Sequence, residues 1–139
     1  VAIAALALIW LQIRSARMAQ LEATASDTFR DYLKLAIDNP GLARPAVDKI
    51  DGSDTRSEPW VSYTYFVSHM LFAFETILST SKDDHTWSKA MLAHLRFHRH
   101  YLASEHFSRT RDGYTPAVLR LVEMAIAADG SKQNRTVSA

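Results

Sequence analysis

The chain opens VAIAALALIWLQI, thirteen residues in which no charged or amide side chain precedes Gln12. A helix that is apolar all round has no face for water, so it must be sheathed by lipid or by other protein. At ~1.5 Å per residue the run extends roughly 20 Å, short of the ~30 Å of hydrocarbon in a bilayer. Because the sequence starts at Val1 and not at a methionine, the expectation is an anchor whose first residues lie upstream. Trp10 near its end, with Arg14 and Arg17 directly after it, is the pattern of a membrane-interface boundary. A signal peptide would put its basic residues before the apolar run and a small-residue cleavage site after it. A buried core helix is the other alternative. By the positive-inside bias, arginines on this side predict a single-pass inner (cytoplasmic) membrane protein with the rest of the chain in the cytoplasm.

Beyond the arginines, Met18, Leu21, Ala25, Phe29, Leu33 and Ala36 recur every three or four residues, one stripe of a helix continuous with the anchor. Asn39-Pro40-Gly41 stops it near Asp38. Residues 39–59 hold three prolines, two glycines and several acidic side chains, and read as a surface connection with one helical turn around 46–50. A second helix follows over 60–79, with Trp60, Tyr63, Val67, Met70, Phe74 and Ile77 on one face and Tyr65, Phe66 and Phe72 on the other. It reads as the central helix of a bundle, since His69 and Glu75 would be expensive in lipid. Asp83-Asp84 supply a cap for a third helix over 85–103, whose inward stripe is Trp87, Met91, Leu95, His98 and Leu102. A polar connection over 104–113 leads to Thr115 as N-cap and Pro116 in the first turn of a fourth helix, which Gly130 ends.

The expected architecture is therefore all-α: an anchor over 1–13, a roughly four-helix up-down bundle over 14–129, and a flexible tail over 130–139. Such a bundle places the turn at 79–84 near the bilayer and the stretch 98–111 far from it.

Composition narrows the chemistry. Zero cysteines exclude disulfides, thiolate zinc sites and thiol catalysis. Sixteen basic against fifteen acidic residues argue against a polycationic nucleic-acid binder. The four glycines are isolated, so no phosphate-cradling loop is present, and no Gly-x-Ser-x-Gly elbow occurs. Neither a catalytic residue nor a cofactor is expected. His94 and His98 lie four residues apart on one helical face, a spacing compatible with a metal, and Glu75 could add a third ligand. Edge-of-core histidines bonded to neighbours satisfy the same spacing. Glu75 is the one charged side chain between Glu58 and Lys82, and calls for a partner, with His94, His98 or Arg96 as candidates. Arg96, Arg99, His100, Arg109 and Arg111, interleaved with Tyr101, His106 and Phe107, form a basic-aromatic cluster suited to an acidic protein surface.

Val67-Ser68-His69-Met70-Leu71 resembles, over five residues, the phospho-acceptor box of sensor histidine kinases, but the acidic residue, Arg and Pro that follow the His there are missing. The apolar span running into Arg14-Ser15-Ala16-Arg17, the Asp38-Asn39-Pro40-Gly41-Leu42 helix end, and the later Trp87, Leu95, Phe97 and Tyr101-Leu102 together resemble small bacterial membrane-anchored helical proteins classed as domains of unknown function. That resemblance implies one N-terminal span and a cytoplasmic helical domain. The expected function is a non-enzymatic accessory or interaction protein held to the bilayer through residues 1–13, with a protein partner or larger membrane complex. The alternative is a pH- or metal-responsive regulatory domain using Glu75 and the nearby histidines.

Overall fold

A computed structural model describes residues 2–46, 52–81 and 84–128 of the chain. The described residues are all-α, without a strand. Helix α1, Ala2–Asp38, is unbroken for 37 residues, about 55 Å at the usual rise. Among the described residues nothing buries its apolar N-terminal window, and Ile3, Leu6, Leu8, Trp10 and Ile13 all stand exposed. A core helix of a folded domain would have most of that surface covered. From Met18 onward the same helix acquires one sheltered face, with Ala25 and Tyr32 fully buried and Phe29, Leu33, Leu35 and Ala36 packed against the core.

The Asn39 side-chain amide and backbone N–H both donate to the Leu35 carbonyl, closing the end of α1. The chain does not leave helical geometry at once. A single turn, α2 (Pro40–Ala43), follows, with proline at a position where its missing N–H costs nothing. Of the helical turn expected around 46–50, residues 47–50 lie outside the described residues, as do Asp83, Gly130 and the tail. Helix α3, Glu58–Thr80, returns antiparallel to α1: Glu22 meets Ser81 at one end, and Tyr32 meets Phe74 and Phe66 higher up. Helix α4, Asp84–Leu95, runs out alongside α1, with Trp87 beside Phe29 and His94 beside Tyr32.

The expected third helix is not continuous. It tightens into a 3₁₀ turn at Arg96–His98, where His98 (φ −106°, ψ 8°) leaves α geometry before α5 (Arg99–Leu102). The expected polar connection also contains a helix, α6 (Glu105–Thr110). Ser104 caps it, its hydroxyl accepting from Phe107 N–H and donating to the Tyr101 carbonyl. Thr115 and Pro116 open α7 (Pro116–Ala127), which buries Val118, Leu121, Val122 and Ala125 against α3, α4 and α5.

The core is a layered aromatic and aliphatic cluster centred on α3, which supplies Met70, Leu71, Phe74 and Ile77 at complete burial. Phe74 makes an edge contact with Tyr32 at 5.4 Å between centroids and a stacked one with Phe29 at 6.4 Å. Replacing it by alanine opens a cavity between α1 and α3, and we expect a loss of about 3–5 kcal/mol. Thermal or urea unfolding of the F74A variant beside an exposed control such as Phe97→Ala checks this.

Candidate functional site

Two tyrosine–histidine pairs hold the middle of the bundle. On α1, Tyr32 sits two turns beyond Ala25 on the buried face, and its Oη is 3.1 Å from His94 Nδ1 on α4. On α3, Tyr63 Oη is 3.0 Å from Nδ1 of His98, which is 1% exposed. The four rings stitch α4 and its 3₁₀ continuation to both neighbouring helices, through polar contacts inside an apolar core. Among the described residues His98 Nε2 has no hydrogen-bond partner. An imidazolium there would have two N–H donors and one acceptor, so burial disfavours the charged form.

Accordingly, burial first, and the neighbouring His94 second, push the His98 pKa down from 6.5 to about 4. Burial, then the Arg44 guanidinium, lower that of His94. Burial and Tyr101 raise the Tyr63 hydroxyl well above its ordinary value, so it stays a neutral hydrogen-bonding group at any physiological pH.

The two histidines and Glu75 do not converge. Each histidine bonds its own tyrosine, and the Glu75 carboxylate instead accepts the backbone N–H of Thr115 at the start of α7. The partner expected on the third helix is therefore replaced by a helix terminus, where a negative charge complements the macrodipole. No group of three His, Cys, Asp or Glu that could hold a metal ion occurs among the described residues. A second carboxylate has a corresponding task nearer the anchor. Glu22 of α1 accepts from Ser81 Oγ at 2.8 Å and from Trp87 Nε1 at 3.2 Å, tying the α3–α4 connection to the base of the bundle.

The basic cluster is divided by the fold. Arg96 is exposed on the 3₁₀ turn and Arg99 is half-buried on α5. Arg111 turns to Glu123 of α7 at 3.0 Å. His100 and Arg109 line a cleft of about 400 Å³ whose floor is Trp60 and Tyr101. Arg109 also pairs with Glu105, one turn before it on α6. At the other end of the molecule, the Arg14 guanidinium lies over the Trp10 ring at 5.3 Å, and Arg17 follows on the same exposed segment. An exposed aromatic pair, Tyr65 and Phe72, flanks a groove of about 630 Å³ between α1, α2 and α3. Sequence periodicity puts Tyr63 and His98 on inward stripes, a signal for that pair, but it passes over Tyr32 and leaves His94 at the edge of its stripe.

No protein-family profile matches the chain, and neither does any curated protein or any solved structure. What the described residues define is a class: an all-α bundle with a long N-terminal helix that is long and apolar enough to cross a membrane.

The histidine pairs give the fold a pH dependence of definite sign. His98 is held neutral when folded and takes up a proton near 6.5 when unfolded, so its stabilisation is complete above 6.5 and is lost as pH falls towards about 4. We expect about 2–3 kcal/mol to disappear across that window. Urea unfolding at pH 7, 5.5 and 4.5 measures it, and the slope should flatten in a His98→Leu variant.

Proposed function

We propose that this protein is a membrane-tethered helical bundle that works by contact, as an accessory or scaffolding subunit at the cytoplasmic face of the inner membrane. The observation that carries the reading is α1 itself, whose apolar N-terminal part is left uncovered by the described residues while its continuation forms one wall of the core. A helix that serves as anchor and wall at once fixes the bundle's distance and tilt relative to the bilayer. Arg14 and Arg17, immediately past the apolar run, support the cytoplasmic orientation. The exposed Tyr65 and Phe72, which line one groove with Leu35 and Leu42, support a contact role, because neighbouring exposed apolar side chains form the kind of patch that meets a partner.

A second reading is favoured by one specific observation, the burial of His98 with Nε2 unpartnered. In it the bundle is a regulator that loosens as the compartment acidifies, since protonating the core histidines weakens the attachment of α4 to α1 and α3.

Membrane fractionation tests the principal reading. The full chain should pellet with membranes and resist carbonate extraction, and a chain lacking residues 1–13 should be soluble and folded. Because the sequence has no cysteine, a single cysteine at exposed Lys34 reports orientation. Labelling by a membrane-impermeant maleimide should require opening of the cells. Recovery of the full chain in the soluble fraction would contradict the reading.

A further inference from the structure

Helix α3 is apolar on the face it turns away from the core as well as on the buried one. Val61, Tyr65 and Phe72 stand 36%, 72% and 56% exposed. Together with Ser68 they follow one another at spacings of four, three and four residues, the seam spacing of two helices packed side by side. A solvated helix face ordinarily carries charge. Here the one charged side chain between Glu58 and Lys82 is Glu75, and its carboxylate is turned to Thr115. The seam forms a wall of the groove of about 630 Å³ that Leu35 of α1 and Leu42 of α2 complete. Among the described residues no Asp, Glu, Lys or Arg lines that groove, and His69 is its one imidazole.

Whatever covers this face has to be as free of charge as the face itself, since a charge buried against it would find no partner. Leu35 lies about 33 Å beyond Ile13 along α1, so the acyl chains of a bilayer that holds residues 1–13 do not reach the groove. A second copy of the chain brings the same neutral seam. In the tether reading, on which this rests, two copies enter one bilayer in the same sense, and the two-fold axis compatible with that lies along the membrane normal. Helix α3 lies antiparallel to α1 and so runs along that axis. We propose that the Val61–Phe72 face of α3 is the contact between two copies of this chain, paired in parallel and in register. Tyr65 and Phe72 then each meet the same ring of the second copy, and Ser68 meets its own counterpart. The groove is smaller than the roughly 20–30 residues a side of a stable complex in solution. Confinement to one membrane raises the effective concentration of the two chains, so a small seam suffices.

The absence of cysteine allows a direct test with the purified full-length chain in phosphatidylcholine vesicles. Flotation with the vesicles is read first, and a chain that stays behind would remove the tether reading and the pairing together. In the floating fraction, Ser68→Cys should give a disulfide-linked dimer on mild oxidation, with a yield that survives dilution in lipid. Lys89→Cys on α4 and Met124→Cys on α7, both exposed and off the seam, should stay monomeric. Tyr65→Lys in the Ser68→Cys background takes a ring from each copy and sets like charges side by side, and should cut the yield about tenfold. Ser62→Lys, which puts a charge on the groove wall, should act in the same direction. Tyr65→Phe should keep the dimer. Because Tyr65 and Ser62 are exposed, circular dichroism and the urea midpoint should not move in these variants, so a lost crosslink reads the contact and not the fold. Floating chain without a Ser68→Cys dimer, equal yields at the three cysteine positions, or a yield indifferent to both lysine substitutions would overturn the pairing while leaving the tether in place.

Discussion

Helix α1 passes without a break from an apolar sleeve that none of the other described residues covers to a one-sided stripe against which α3 and α4 pack. Two environments are imposed on one element. The lower part needs apolar side chains in every direction, and the upper part needs them in one direction only. The change falls between Arg14 and Glu22. Below it the helix belongs to its surroundings, and above it Ala25, Phe29 and Tyr32 set the register in which α3 and α4 pack.

Polar groups then fix what apolar packing leaves loose. Glu22 closes the base of the bundle by gathering Ser81 and Trp87, and Glu75 positions the start of α7 through the Thr115 N–H. In the middle, Tyr32–His94 and Tyr63–His98 define which turn of α4 faces which turn of α1 and α3. Such buried pairs contribute little net energy when satisfied and cost more when broken, so their effect is on the uniqueness of the arrangement. Among the described residues His98 Nε2 is the buried side-chain polar atom without a partner, and burial holds that ring neutral down to about pH 4, so protonating it costs the fold stability.

Much of the fold was legible in the sequence, because it rests on local rules. The all-α class, the end of α1 at Asp38, the apolar α3 and the Thr115-Pro116 opening of α7 each depend on residues within a turn or two of one another. What escaped was rotational register. Counting the stripe of α1 through Leu33 and Ala36 passes over Tyr32, which is more deeply buried than either. The sequence predicts a partner for Glu75 on the adjacent helix, whereas the structure supplies one 40 residues away, because where α7 begins in space is a tertiary result. The basic run from Arg96 to Arg111 looked like one patch. The 3₁₀ turn and the Ser104-capped α6 rotate its members apart, so that His100 and Arg109 share a cleft while Arg111 joins α7. The cap at Ser104-Glu105 was a readable signal for that helix.

The central claim is that α1 is one helix serving two solvents, and a scan of spin-label accessibility along it in nanodiscs tests that claim directly. Single cysteines placed from residue 4 to residue 36 in the cysteine-free chain report oxygen and nickel-chelate collision rates position by position. The account predicts high oxygen and low nickel accessibility at every position up to about 13, whatever the face. It then predicts a helical period of about 3.6 residues, with minima for both reagents at Ala25, Phe29 and Tyr32. A helical period of protection within residues 4–13 themselves, or nickel accessibility throughout them, would contradict it.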